Sequence, residues 1–382
     1  MAVPKLRFRT FNTNYINTKF ENLKGFSIQS GNSEDKETTG CFPFYGSTGI
    51  IGYKDTYGYE GNSILIARVG ANAGSLYQVN GKYSVSDNTL KLTISEDNVN
   101  LDYLRELLIK FNLNKLVFGT GQPLVTGGLI KKINVFIPDL LEQTKIATFL
   151  SAVDEKIAQL SQKLHLLGQY KQGMMQKLFS QEFRFKADDG SEFGEWEETT
   201  LEKIGTFLKG KGISKADIVC DGQIPCVRYG ELYTHYGEVI SKVISATNID
   251  VNNLVLSKAN DILIPASGET QIDIATASCI LDDGIALSGD LNIFRTKENG
   301  IFLSYLIRSK LKMKIAQLAQ GNSVVHLYAT QLKGVELNLP CLEEQTKIAN
   351  FLSAIDQKMD VVSKQLKQAK TWKKGLLQQM FV

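Results

Sequence analysis

At 382 residues, with 43% hydrophobic and 22% charged side chains, the chain is long enough for two or three cored domains of ordinary globular composition. Its net charge of +3 is only a slight bias toward a polyanionic partner. Five scattered cysteines without a CxxC pair, and three distant histidines, argue for a reducing compartment and against both a disulfide framework and a zinc site. Residues 1–11 carry basic side chains with no apolar stretch behind them, and no apolar run approaches the roughly 20 residues of a bilayer span, so no membrane partner and a cytoplasmic location are expected.

In chain order, SILIARVG (63–70), GSLYQV (74–79) and NTLKLTI (88–94) are strand-like runs parted by Gly or Asn turns, and a helix follows over Leu101–Phe111. GTGQPL (119–124) is no dinucleotide-binding loop, because Leu124 stands where the third glycine is required. A long helix comes next. Ile146, Leu150, Val153, Ile157, Leu160 and Leu164, continued by Leu167, Lys171, Met174 and Leu178, alternate steps of four and three, which is a heptad seam. Beyond it, GTFLKGKG (205–212) fits a phosphate-binding P-loop until Gly212, where Ser or Thr must bind magnesium. A Gly/Lys-rich loop touching phosphates and a plain surface turn are the readings left open. DILIPASG (261–268), IDIATA (272–277) and GDLNIFRT (289–296) then read as strands, and Phe302–Leu318 as a helix. A second seam closes the chain: Ile348, Leu352, Ile355, Met359, Val362 and Leu366, then Ala369, Lys373, Leu376 and Met380.

The two long helices are copies of one another. Residues 137–179 align without gaps to 339–381, with 20 identities in 43 positions at a constant offset of 202. The unit of about 200 residues is therefore duplicated, with globular-module segments at 1–140 and 181–340 and helical segments at 141–180 and 341–382. Each helix of about 40 residues spans roughly 60 Å. Connectivity predicts an antiparallel pair, because one helix leads from the first module to the second and the other leads back. Charge is uneven: residues 1–140 carry 15 Lys/Arg against 12 Asp/Glu, whereas 181–340 carry 16 against 21, so any polyanion contact in the later segment must rely on local patches. Asp154-x-Lys156 and Asp356-x-Lys358 resemble nuclease carboxylates only loosely. Their place beside the seam favours solvated or interhelical charges. Lys171 and Lys373, at equivalent seam positions, either set the register or snorkel from a fraying helix end. Their neighbours Tyr170 and Trp372 read as packing or partner-contact residues.

The duplicated PxLExQTKIAxFLSAxD at 138–154 and 340–356, with PKLRF (4–8), FYGSTGIIGY (44–53) and SEFGEWEETTLEKIGTFLKGKGISK (191–215), is similar to the specificity subunit of type I restriction–modification enzymes. The likeness spans essentially the full length, although 15–23 (YINTKFENL) lacks the tryptophan that Trp196 supplies in the second copy. It implies an α+β fold, with two target-recognition domains separated by a central antiparallel coiled coil and each reading one half of a split target in double-stranded DNA. It also implies a non-catalytic chain, with two methyltransferase subunits bringing S-adenosylmethionine and two restriction subunits bringing ATP and magnesium. The alternatives are a DNA-reading subunit of another multisubunit system, or a coiled-coil scaffold. No NPPY- or DPPY-like tetrapeptide for amino-methylation occurs in the chain.

For DNA contact, polar Gly-flanked loops are the candidates. In the first module these are Tyr45, Ser47, Thr48, Arg68, Asn72 and Gln122. In the second they are Lys209, Lys211, Lys215, Arg228, Tyr229, Thr270, Gln271, Asn322 and His326. Arg, Asn and Gln can bond bidentately to base edges, while Lys and Ser mostly position phosphates.

Overall fold

A computed structural model describes residues 3–32, 39–95, 97–119, 123–321 and 324–382. The chain forms two compact units. The first comprises residues 1–162 together with 363–382, and the second comprises residues 163–362. The long helices, Leu140–Phe179 and Leu342–Met380, are unbroken, and each contributes one part to either unit.

In the first unit an antiparallel ribbon pairs Ile16–Lys19 with Asn134–Ile137. One four-stranded sheet runs in the order Ser27–Ser30, Thr89–Thr93, Ser63–Ala67, Leu76–Val79. A second is built from Gly49–Lys54, Phe42–Gly46, Lys82–Val85 and Tyr59–Glu60. The helix Leu101–Phe111 starts where expected, because the Asn100 side chain accepts a hydrogen bond from the Tyr103 N–H. The second unit repeats the ribbon, Glu197–Thr200 with Glu336–Leu339, at the 202-residue offset on the strand that leads into the long helix. Its five-stranded sheet has the order Gly205–Lys209, Leu291–Thr296, Ile262–Pro265, Ser278–Ile280, Val239–Ile240.

Two expectations need correction. IDIATA is not a strand: Gln271–Ile274 forms a helical turn capped by Thr270, and the strand begins only at Ser278. Alternating Ile and Ala mimics a half-buried strand, but residues 274–277 are all buried, so the alternation carries no facial meaning. The helix expected over Phe302–Leu318 is two helices, Gly300–Arg308 and Lys312–Leu318. The Ser309 hydroxyl donates back to the Tyr305 carbonyl and the Leu311 N–H to Leu306, which closes the first helix.

Within each unit the long helices run antiparallel. In the first, Ile146, Leu150 and Val153 are buried in one core with Leu376, Leu377 and Met380. In the second, Leu178 and Phe179 share a core with Ile348, Leu352 and Ile355, with Met359 packed against it. Leu160 and Val362 are also buried, and Ile157, Leu164 and Leu366 are half-buried. The seam lysines are ion-paired across the helices. Lys373 meets Asp154 at 2.6 Å and Glu106 at 3.0 Å, and Lys171 meets Asp356 at 2.7 Å and Glu238 at 3.0 Å. Both aspartates are therefore interhelical partners. Because a one-turn slip would unpair a cation that is about 13–14% exposed, the pair supports the register-setting reading. Tyr170 and Trp372 are half-exposed and lie edge-on to Phe351 and Phe149, which in turn meet Phe185 and Phe8.

The head of each long helix is anchored alike. Arg7 grips the fully buried Glu142 carboxylate with Nε at 2.8 Å and a terminal nitrogen at 2.7 Å; Arg184 grips Glu344 at 3.1 and 2.8 Å. The Trp196 indole N–H donates to Glu344, and the Tyr15 hydroxyl donates to Glu142, so Tyr15 fills the place of the missing tryptophan. The next residue, Gln143 or Gln345, accepts from the Asn100 or Asn299 N–H and donates to the Pro138 or Pro340 carbonyl, fastening the helix to the module.

Removing one partner of a buried ion pair strands the other charge and costs about 3–5 kcal/mol, against about 0–1 kcal/mol for an exposed pair. Arg184→Ala is thus expected to lower the denaturation midpoint of the second unit strongly. Lys333→Ala, which breaks the exposed pair with Glu202, should shift it little. Trp196 emission in a Trp372→Phe background reads out that unit alone.

Candidate nucleic-acid interface

In each unit three chain segments are bonded to one tight turn, and a fourth is bonded to one of the three. In the first unit that turn is residues 86–88. The Ser86 N–H donates to the Tyr45 carbonyl (2.9 Å), the Asp87 N–H to Asn32 (3.1 Å), and the Asn88 carbonyl accepts from the Arg68 N–H (2.9 Å), while the Arg68 carbonyl accepts from the Val125 N–H (2.8 Å). In the second unit the turn is residues 288–290, again offset by 202. The Ser288 N–H donates to Val227 (3.1 Å), Gly289 N–H to Gly212 (2.9 Å), and Asp290 accepts from Ala266 N–H (2.9 Å), whose own carbonyl accepts from Leu327 N–H (3.0 Å). The isolated bridges Phe118–Leu124 and Gln320–His326 repeat at the same offset.

One glycine in each unit allows this convergence. Gly31 donates to the Thr89 carbonyl and Gly210 to Leu291. A Cβ would fall 1.9 Å from the Val85 carbonyl oxygen at Gly31 and 1.9 Å from the Ser288 oxygen at Gly210, so any side chain there would force the backbones apart. This accounts for Gly210 in the P-loop-like stretch without any phosphate.

The candidate residues fall on these segments. Tyr45, Ser47 and Thr48 lie on the segment that bonds Ser86. Arg68 and Asn72 lie on the one that bonds Asn88. Tyr45 is half-buried, edge-on to Tyr83, and burial raises its hydroxyl pKa. Thr48 and Asn72 are exposed, and the Arg68 guanidinium donates to the Asp87 carbonyl at 3.3 Å. In the second unit Lys209, Lys211 and Lys215 are exposed around Gly212 and form no ion pair among the described residues. Arg228 and Tyr229 follow Val227. The Arg228 guanidinium lies 3.3 Å from Glu231, so part of its charge is already answered. The Thr270 hydroxyl caps a helical turn, the Gln271 amide donates to Ala319 at 3.4 Å, and exposed His326 stacks on Tyr328 with rings 6.1 Å apart at 16°. Gln122 and Asn322 lie outside the described residues.

Sequence reasoning missed the organising turns and the exposed Tyr328, which lies beside His326. The signal was present: VSDNTLKL (85–92) and LSGDLNIF (287–294) stand at the repeat offset. Chemically, each cluster offers hydroxyls, amides, cations and aromatic faces on loops with rigid roots, which suits base-edge and phosphate contact. Among the described residues no group of three or more His, Cys, Asp or Glu side chains could hold a metal ion. No helix of the described residues is long and apolar enough to cross a membrane.

The sequence family described as the type I restriction modification DNA specificity domain matches residues 20–167 and again 194–371. The chain belongs to that family. The specificity subunit of the type I restriction enzyme MjaVIII from Methanocaldococcus jannaschii is 28% identical to it over 338 residues, 83% of this chain and 77% of that one. A putative type I specificity subunit from Haemophilus influenzae is 25% identical over 324 residues, covering 83% and 81%. Among solved structures, the S subunit of a type I system from M. genitalium has a TM-score of 0.66 at 17% identity, covering 100% of this chain and 99% of that one. A second, from a study of type I complex assembly, gives 0.54 at 14% identity over 96% and 97%. These likenesses establish the fold, which family membership assigns to a type I specificity subunit, a non-catalytic component that works with DNA and with other restriction–modification subunits.

Lys209→Ala with Lys211→Ala is expected to weaken DNA binding equally for all sequences and to lower the log–log salt slope by about 1 for each phosphate no longer neutralised. Gln271→Ala or His326→Ala should instead relax preference at one base pair of one half-site, by about 1–3 kcal/mol. Fluorescence anisotropy of the partner-bound chain over a set of single-base variants separates the two behaviours.

Proposed function

We propose that this specificity subunit reads a bipartite DNA target, one half-site per unit, and recruits two methyltransferase subunits and two restriction subunits in the cytoplasm. The observation that carries this reading is that the two family domains share their helix anchors and central turns, yet differ in the side chains on the loops rooted there. A duplicated frame with divergent loops suits two readers of different sequence working under one partner system. S-adenosylmethionine belongs to the methyltransferase partners, and ATP and magnesium to the restriction partners. The chain's part is to choose the site.

Two linked readers also gain by tethering, since binding of the second half-site becomes intramolecular once the first is held. The gap between half-sites is then set by the two long helices that the units share. With one heptad inserted at equivalent positions of both, the spacer grows by about 10 Å, or roughly three base pairs at 3.4 Å each.

Methylome sequencing of cells expressing the chain with its cognate methyltransferase subunit is expected to show one bipartite motif with a fixed gap. The double heptad insertion should yield the same half-sites with a longer gap. A continuous motif, or a gap indifferent to the insertion, would remove the basis of the reading.

A further inference from the structure

The first unit carries an element that its copy lacks. Phe42–Gly46 and Gly49–Lys54 form a hairpin closed by the two-residue turn Ser47–Thr48. Its root is shared with the second unit, since the Tyr45 carbonyl accepts from the Ser86 N–H as the Val227 carbonyl does from the Ser288 N–H. Beyond that bond the copies part. The second unit turns into the short helix Glu231–Thr234, whereas the first builds the hairpin. The Tyr77 hydroxyl donates to the Ser47 carbonyl at 3.3 Å, and Tyr45 and Tyr77 both pack on the core around Leu65, Val79 and Tyr83, so the turn is braced.

Two large apolar side chains stand open on this hairpin. Ile50 is 50% exposed and Tyr53 is 42% exposed. Residues three apart on a regular strand point to opposite faces, yet these two share one. The register shifts between Phe44 and Tyr45, so that Ile50 pairs with Tyr45 and Tyr53 with Pro43, which are two residues apart on the partner strand. Cross-strand partners lie on the same face, and the irregularity therefore gathers Pro43, Tyr45, Ile50 and Tyr53 into one apolar surface. Gly49–Lys54 is also the outer strand of its four-stranded sheet. Apolar side chains on an open edge invite aggregation unless something covers them. Residues 42–53 include no charged side chain, so the hairpin has no cation with which to neutralise a phosphate.

We propose that this hairpin enters the major groove of the first unit's half-site and that Ile50 packs on the C5-methyl group of a thymine, which makes it a specificity-determining residue. The inference rests on the reading that each unit reads one half-site. The hairpin is continuous with the candidate DNA-contact loops, since Ser47 and Thr48 form its tip and Ser86 of the organising turn holds its root. A two-stranded ribbon has a width that the major groove admits. The thymine methyl is the one apolar group that the groove presents, and an uncharged aliphatic side chain is matched to it. The hydroxyls of Ser47, Thr48 and Tyr53 can meet the adjoining donors and acceptors of the base edges. The first half-site therefore holds an adenine–thymine pair that is recognised by its methyl group.

The test uses the full chain with its cognate methyltransferase subunit and synthetic duplexes that carry the bipartite target defined by methylome sequencing. Each thymine of both half-sites is replaced in turn by deoxyuridine, which removes the methyl group and keeps every hydrogen bond. Fluorescence anisotropy is expected to show a thymine in one half-site whose replacement raises the dissociation constant about fourfold, the effect of one buried methyl group. Ile50→Ala should abolish the response at that position and nowhere else, and should bind the thymine duplex as weakly as the unaltered chain binds the uracil duplex. Of the two cytosine replacements at that position, 5-methylcytosine should bind more tightly than cytosine. The uracil series needs no substitution in the chain, so it stands even where a variant folds poorly. Half-sites in which no thymine responds, or a response that Ile50→Ala leaves intact, overturn the hairpin assignment. So does an Ile50→Ala chain that discriminates thymine from uracil as before but loses its methyltransferase subunit, which would give the surface to a protein. A methylome without a bipartite motif overturns the functional reading itself, and the hairpin assignment with it.

Discussion

A buried carboxylate near the start of each long helix, held by an arginine fork, is the constraint on which the rest of the architecture depends. Glu142 and Glu344 are fully shielded from solvent, and an unpaired charge in such a place costs several kcal/mol. Arg7 and Arg184 arrive from segments preceding the module ribbons, so satisfying the carboxylate fixes where the chain must enter each unit. The helix N-terminus favours the anion further. Around this point the two copies have solved the remaining hydrogen bond differently, with a phenol at Tyr15 and an indole at Trp196. They also differ at the cap. The Asp139 carboxylate accepts from the Glu142 N–H and the Thr13 hydroxyl, contacts that hold its pKa below the usual range, whereas Cys341 occupies the equivalent position.

Farther along the helices the same logic recurs with weaker burial. Lys171 and Lys373 sit at seam positions where a leucine would pack better, and each is matched by an aspartate of the opposite helix, with Asp356 also taking the Tyr305 hydroxyl. Leucines along a seam tolerate a shift of one turn, whereas a part-buried ammonium does not. Apolar area supplies affinity between the helices, and these pairs select the register.

Much of this was legible in sequence because duplication doubles the signal. The 202-residue offset, the heptad seams of Ile146–Leu178 and Ile348–Met380, and the helix Leu101–Phe111 all follow from periodicity and caps. The role of Glu142–Gln143 and Glu344–Gln345 was not, since a Glu-Gln pair at a helix start reads as a solvated first turn unless the arginine some 135–160 residues away is known to return. IDIATA misled because complete burial erases facial alternation. The candidate loops were found by their Gly, Asn and Lys content. What gathers them, the main-chain bonds to Ser86–Asn88 and Ser288–Asp290, involves backbone atoms that every residue carries, and so leaves little trace in side-chain chemistry.

The division of the chain also dictates an order of assembly. The second unit is continuous in sequence, and every residue it needs has emerged from the ribosome once Val362 is clear. The first unit, whose larger part precedes the second, lacks Leu376, Leu377, Met380 and Phe381 until those positions are translated, and its core stays open on the side those residues cover. The portion translated first is thus the last to close. Until then the nascent chain carries an exposed apolar face, a period in which that surface is open to aggregation or to a chaperone.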